Sequence, residues 1–145
     1  MTKIDGLGVG LVGIAFAVAF LGSAHADPTG TWLTAGGKSH VMIQPCGDKI
    51  CGKIVWLSES RNADGSEKLD VHNKDESLRE RSIMGLQLLT DFTAAGDVKW
   101  TDGEIYNPED GKTYRSELEL TDSATLKVTG CVFILCKTQT WTRVE

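Results

Sequence analysis

The sequence predicts an all-β domain, an antiparallel eight-stranded up-and-down barrel with one long polar loop. Short segments rich in β-branched and aromatic residues recur along the chain, and Gly, Pro, Asn and Asp clusters separate most of them. One segment, residues 98–120, shows strand, turn and strand in full. Eight strands joined mainly by hairpins can close into a barrel without an exposed edge, and a two-sheet sandwich is the alternative.

The hairpin at residues 98–120 is the clearest element. Its turn, residues 107–111, combines a proline, Asx side chains and a glycine, all of which favour a tight turn. Its second arm alternates two sets of side chains, the period of a strand with one buried and one wet face. The buried set is Tyr114, Ser116, Leu118 and Leu120, and the wet set is Thr113, Arg115, Glu117 and Glu119. A charged outer face excludes an outer-membrane barrel, which needs an apolar band.

The N-terminal residues 1–26 have the pattern of a secretory signal peptide. Lys3 precedes an apolar run at residues 7–21, and Ala24-His25-Ala26 follows it. The run is shorter than the roughly 20 residues that span a bilayer, so a membrane anchor is not favoured. We expect cleavage after Ala26, a periplasmic or secreted location, and a single domain at residues 27–145.

The remaining strands follow in order along the expected domain. Residues 58–82 interrupt them with a polar stretch that has a helical turn near residues 75–81, and this stretch is either a functional lid or a solvated excursion. In the strand after it, Met84, Leu86 and Leu88 alternate. The strands are expected at residues 29–34, 40–44, 52–57, 84–92, 99–106, 112–120, 125–129 and 137–144.

Four cysteines form two pairs with the same spacing. Cys46 and Cys51, like Cys131 and Cys136, have four residues between them. Export favours disulfides over a four-thiolate zinc site, so no metal is expected. Residues i and i+5 lie opposite each other in a tight hairpin, and we therefore predict the local pairing among the three connectivities.

Charge and motifs argue against several functions. The net charge of −5, without a basic cluster, gives no support to nucleic-acid binding. No Gly-x-Ser-x-Gly elbow is present, and the histidines of the expected domain, His40 and His72, lie far apart, so we predict neither an enzyme nor a cofactor. Residues 62–66 hint at a calcium loop, but Ser60 and Val71 occupy positions where carboxylates belong, which favours a turn.

Two groups of residues are candidates for a ligand site. Within the polar stretch, a carboxylate near two guanidinium groups can lock the loop or present charge to a ligand, and we favour the lock. The aromatic candidates line a cavity or are plain core, and we favour core. The polar group is Asp70, Asn73, Arg79 and Arg81, and the aromatic group is Trp56, Trp100, Tyr106 and Tyr114.

Gly30, Trp32 and Arg143 resemble the signature of calycins, the lipocalins and related small-ligand barrels, in which the arginine packs over the tryptophan. A wider set of motifs resembles the bacterial exported family catalogued as domain of unknown function 2147. That resemblance implies an exported, calycin-like domain and supplies no catalytic residues. The motifs are Gly30-x-Trp32-Leu33, Pro45-Cys46-Gly47, residues 51–56, Asp70-x-x-Asn73, Leu78-Arg79-x-Arg81, Gly85-Leu86, residues 100–114 and residues 139–143.

The leading functional hypothesis is a non-enzymatic module that binds a small apolar or amphipathic molecule at the barrel mouth. Short strands leave little interior room, so we expect a shallow site bordered by residues 58–82 and no deep cup. Under this hypothesis, replacing Trp100 by Ala weakens ligand binding more than folding. The alternative is an envelope interaction or scaffold protein, and a barrel filled by side chains would favour it.

Overall fold

The computed structural model describes residues 10, 13–19 and 26–144. Most of the predicted signal peptide lies outside the described residues, and its cleavage stays a prediction. Within the described ranges, no helix has the length and apolar character needed to cross a bilayer.

Eight antiparallel strands close a barrel in sequence order, which confirms the predicted fold class. Closure comes from β1 and β8, where Trp32 lies opposite Arg143 and Leu33 opposite Thr142. This pairing excludes the two-sheet sandwich. The strands are β1 (Gly30–Leu33), β2 (Ser39–Cys46), β3 (Lys49–Leu57), β4 (Gln87–Ala94), β5 (Lys99–Asn107), β6 (Lys112–Asp122), β7 (Thr125–Val132) and β8 (Leu135–Arg143).

The fourth strand begins later than the alternation predicts. Met84 is 40% exposed, whereas Leu86 is buried. Gly85 adopts a φ of +84°, and its N–H donates to the carbonyl of Ile54 on β3. The left-handed conformation of this glycine places residues 83–86 in a turn, and extended structure starts only at Gln87.

Side chains fill the middle of the barrel. Trp32, Trp141 and Phe92 are among its largest fully buried residues. Phe92 packs so closely on β5 that a Cβ added to Gly103 would lie 2.4 Å from the Phe92 ring. A Cβ on Gly52 would meet both Val41 and Leu89 at 3.0 Å. The inward positions of neighbouring strands therefore interlock, as in the small barrels whose interiors hold only side chains.

Both predicted disulfides are present, but only one has the expected register. Cys131 lies directly opposite Cys136, with their Cα atoms 4.1 Å apart. Cys46 instead lies opposite Lys49, so its bond to Cys51 runs diagonally, with Cα atoms 5.8 Å apart. The assumption that the two cysteines face each other is wrong for this pair. Cys46 directly precedes its two-residue turn, whereas one residue, Val132, separates Cys131 from the turn of its hairpin. Two disulfides are consistent with an oxidising compartment.

The two ends of the barrel differ. The loop end comprises the β1–β2 turn, residues 58–86, the β5–β6 turn and the β7–β8 turn. The open end comprises the start of β1, the turns β2–β3, β4–β5 and β6–β7, and the last residues of β8. Every strand runs between these ends, so each predicted site residue belongs to one of them or to the wall between.

Candidate functional site

Asp70 is the centre of a polar group at the loop end. Its carboxylate is fully buried and accepts the Tyr106 hydroxyl at 2.5 Å on one oxygen. The other oxygen accepts hydrogen bonds from Asn73 Nδ2 and Arg81 Nε, each at 2.8 Å, and it forms an ion pair with Arg81 Nη2 at 2.7 Å. Both oxygens are occupied by protein donors. We call Asp70, Asn73, Arg81 and Tyr106 the loop lock.

The loop lock fixes the protonation of its members. Burial alone would raise the pKa of Asp70, but hydrogen bonds from Tyr106, Asn73 and Arg81 outweigh it and hold that pKa below its usual value. Burial, together with the neighbouring Asp70 carboxylate, raises the pKa of Tyr106. At neutral pH the carboxylate is therefore charged and the tyrosine protonated, so the group is a satisfied ion pair with fixed donors.

Local hydrogen bonds bring the lock residues together. The 3₁₀ turn Glu76–Leu78 begins at Asp75, whose side chain accepts the N–H of Ser77. That turn brings Arg79 back to donate its Nε to the carbonyl of Asn73 at 2.7 Å. The predicted helical turn is therefore confirmed. Arg79 supports the lock through the backbone of Asn73, not through the Asp70 carboxylate.

The long loop covers the loop end. Gly111, with a φ of +68°, packs so tightly that a Cβ there would lie 1.8 Å from the carbonyl oxygen of His72. Lys38 Nζ reaches Glu109 at 2.7 Å and links the β1–β2 turn to the β5–β6 turn. The hydrogen bond and charge of Glu109 raise the pKa of Lys38. Loop and turns thus close over this mouth, and residues 62–66 form the expected turn, closed by Asn62 and Ser66.

The other aromatic candidates do not join the lock. Trp100 is 6% exposed and belongs to the barrel core. Trp56 is 42% exposed on the outer face, where its ring lies 4.4 Å from that of His40. Tyr114 donates its hydroxyl to Asp110, which raises the pKa of the tyrosine. These three side chains point to separate environments and line no common cavity.

The open end carries the contact that the calycin signature implies. The guanidinium carbon of Arg143 lies 4.3 Å from the centre of the Trp32 ring. Its nitrogens donate to three backbone carbonyls, those of Ser123 at 2.6 Å, Thr29 at 2.6 Å and Asp27 at 2.9 Å. Gly30 begins β1 with a φ of +126°. This clasp joins the beginning of the domain to its last strand.

A depression of about 770 Å³ lies beside this clasp and is open to solvent. The sequence predicted a shallow site at the mouth bordered by residues 58–82, which the loop covers here, and that ligand site stays a prediction. Sequence reasoning missed the lining residues, since turns far apart in the chain contribute them. They are Ala26, Asp27, Thr29, Val98, Leu120, Thr121, Asp122, Ser123, Ala124, Arg143 and Val144.

A smaller depression, of about 310 Å³, lies on the outer face of β5 to β8. Charged and threonine side chains surround it, and Lys99 pairs with Glu119 across it at 3.8 Å. Among the described residues, His, Cys, Asp and Glu side chains nowhere cluster in threes with a geometry that could hold a metal ion.

Comparison with known proteins identifies the family of the chain and a similar solved structure. A family model described as an uncharacterized protein conserved in bacteria, domain of unknown function 2147, matches residues 30–143. The chain belongs to this family. Comparison with curated proteins gives no match. Among solved structures, protein HP1028 from the human pathogen Helicobacter pylori, described as belonging to the lipocalin family, is 27% identical, with a TM-score of 0.71 over 83% of this chain and 84% of that one. The domain 2147 barrel is thus lipocalin-like, as its Trp32–Arg143 contact indicates.

Proposed function

We propose that this domain 2147 protein is an exported, non-enzymatic binder of a small amphipathic molecule, held in the open-end depression. The depression carries the proposal, because about 770 Å³ lies within the roughly 300–1,000 Å³ of small-molecule sites. The lipocalin-like fold supports it, since lipocalins are small-ligand barrels. Because side chains fill the interior, the proposed ligand is placed at the end of the barrel and not within it.

The lining of the depression suits an amphipathic ligand. Val98 and Leu120 form an apolar floor, held in register by a hydrogen bond from the Leu120 N–H to the Val98 carbonyl. Thr121 and Ser123 supply hydroxyl groups at the rim. The guanidinium of Arg143 donates to backbone carbonyls. The rim therefore binds a ligand through hydroxyl hydrogen bonds more than through an ion pair with Arg143. An apolar chain on the floor, with its polar group towards water, fits this surface.

The hydrogen bonds of the lock argue against Asp70 as a catalytic group. Asp70 is a buried carboxylate of the kind that catalytic acids and bases use. Its two oxygens, however, accept three hydrogen bonds, one each from Tyr106, Asn73 and Arg81, and Arg81 also forms an ion pair with one of them. A general base needs an oxygen directed at a substrate proton, and here the protein's own donors occupy both. The group therefore serves as a structural lock.

A matched pair of variants tests the site. Val98 in the depression and Val55 on β3 are almost equally exposed, at 39% and 38%. We expect Val98→Glu to weaken binding of a fluorescent fatty-acid analogue at least tenfold, about 1.4 kcal/mol, because a carboxylate would enter the apolar floor. Val55→Glu should bind like the parent. Fluorescence titration measures both. Equal affinity in all three proteins, or no saturable binding by the parent, would contradict the proposal.

A second candidate is an envelope interaction protein with a solid barrel. Two observations favour it: the packed interior, and the exposed apolar residues at the tip of the β7–β8 hairpin. The same titration separates the two candidates, since an interaction protein needs no saturable small-molecule site at the open end.

A further inference from the structure

The tip of the β7–β8 hairpin is an exposed apolar cluster. Val132, Phe133, Ile134 and Leu135 follow one another, and their exposures are 45%, 89%, 94% and 77%. They lie in a chain of net charge −5 whose barrel wall is charged on the outside. Adjacent large apolar side chains on a polar surface mark an interaction site more often than a scattered exposed residue does. We call residues 132–135 the apolar tip.

The apolar tip is held rigidly. The disulfide between Cys131 and Cys136 closes its base, and Val132 pairs with Leu135 across the hairpin. Arg115 donates from Nη2 to the carbonyl of Phe133 at 3.0 Å, which fixes the turn from the neighbouring strand. A rigid tip loses little conformational entropy on binding. The free energy gained by burying its side chains is therefore reduced little by the cost of ordering the backbone.

The four residues of the apolar tip pair with no neighbouring strand outside their own hairpin. Pairing between β6 and β7 ends, towards the tip, at Arg115 and Cys131. Pairing between β1 and β8 ends at Leu33 and Thr142, so β8 runs on to the tip beside β7 alone. The apolar residues therefore form the convex end of the β7–β8 hairpin.

We propose that the apolar tip inserts into the interfacial layer of a lipid bilayer that carries anionic lipids. A convex wedge of four apolar residues fits a deformable surface, whereas a protein partner would need a matching groove. Lys137 lies opposite Gly130, so a cation flanks the base of the tip where lipid phosphates would lie, whereas Arg115, opposite Cys131, has Glu104 opposite it on its other side. Arg115 also satisfies the Phe133 carbonyl, and a bilayer requires such groups to be satisfied.

The second stapled hairpin supplies an internal comparison. Its turn, Gly47-Asp48, lies between Cys46 and Cys51, has the same cysteine spacing and is polar. The staple alone therefore does not require apolar side chains in the turn. The chemistry of the apolar tip is a separate property of the β7–β8 hairpin.

Vesicle binding tests the proposal on protein purified from a periplasmic extract, with its N-terminus checked by intact mass. The variant is Phe133→Asn with Ile134→Ser, because Asn tolerates the φ of +53° found at Phe133. The control is Val71→Ser, which alters an apolar side chain that is 57% exposed elsewhere. We expect parent and control to sediment with vesicles of phosphatidylethanolamine and phosphatidylglycerol, and the double variant to lose at least tenfold in partition.

Two further variants sharpen the test. Lys137→Gln should lower partition onto phosphatidylglycerol vesicles severalfold and leave binding to phosphatidylcholine vesicles unchanged. Phe133→Trp should keep vesicle binding. The fluorescence of the new tryptophan, obtained as the difference between the variant and parent spectra, should shift to the blue when vesicles are present. Val98→Glu should bind vesicles like the parent, so failure of the small-molecule site would not affect this result.

Several outcomes would overturn the proposal. Equal partition of the parent and the double variant would exclude the tip as the membrane contact. Concentration-dependent association of the parent without vesicles, abolished in the double variant, would show that the tip docks on a second copy. If neither the parent nor the folded Phe133→Trp variant binds vesicles, membrane insertion is excluded, and a groove on a partner protein becomes the expected binding site of the tip.

Discussion

The two ends of the barrel are fastened in different ways. At the loop end, a buried carboxylate on Asp70 collects side-chain donors from Asn73, Arg81 and Tyr106. At the open end, the guanidinium of Arg143 lies on Trp32 and donates to backbone carbonyls. The first arrangement covers its mouth with a loop, whereas the second leaves a depression beside it.

The difference concerns where charge is placed. A charge that is removed from water must be fully paired, so the loop end is stable only as a complete set of partners. Arg143 is only partly buried, and backbone carbonyls that stay in place accept its donors. We therefore expect damage at the loop end to spread over the whole loop and damage at the open end to stay local.

The largest effect is expected from Asp70→Asn. The change removes the charge that Arg81 needs and places an amide donor among donors, so we expect a loss of about 2–4 kcal/mol in the free energy of unfolding. Asp64→Asn is the control in the same loop, because Asp64 is exposed and caps only Ser66. Urea unfolding of both variants measures the difference. Equal, small losses would mean that the lock contributes no more than a surface turn.

Acidification should remove the same contribution in the parent protein. The folded pKa of Asp70 is depressed, so its stabilisation is complete above the unfolded value of about 3.9 and is lost as the pH falls through the folded pKa. The stability gap between parent and Asp70→Asn should thus be constant above about pH 5 and shrink below about pH 4. Asp64 and Asp75 also have lowered pKa values, but they are common to both proteins and cancel. A gap that is independent of pH would contradict the assignment.

A smaller effect is expected from Arg143→Lys. Lysine keeps the charge but loses the planar group that lies on Trp32 and reaches several carbonyls, so we expect a loss of about 1–2 kcal/mol. Amide hydrogen exchange should become faster at residues 29–32 and stay unchanged at residues 70–81. Faster exchange throughout the loop would mean that the two ends are coupled, which would contradict a local effect of Arg143.

Much of the fold follows from local signals in the sequence. Strand alternation, turn residues and cysteine spacing each act over a few residues, and they predict eight strands and two local disulfides correctly. The lock is partly predictable, because Asp70, Asn73 and Arg81 lie in one segment, while Tyr106 joins them from 36 residues away. The depression could not be predicted, since Val98, Leu120 and Val144 come from separate elements and each alone is an ordinary apolar residue.

Mapping of the ligand site by amide chemical shifts distinguishes the two ends most directly. The isotope-labelled protein would be titrated with the fatty-acid analogue used for Val98→Glu. We predict saturable shifts at Val98, at residues 120–124 and at Val144, with the amides of residues 70–81 unchanged. Shifts confined to the loop end, or shifts that never saturate, would contradict a binding site at the open end.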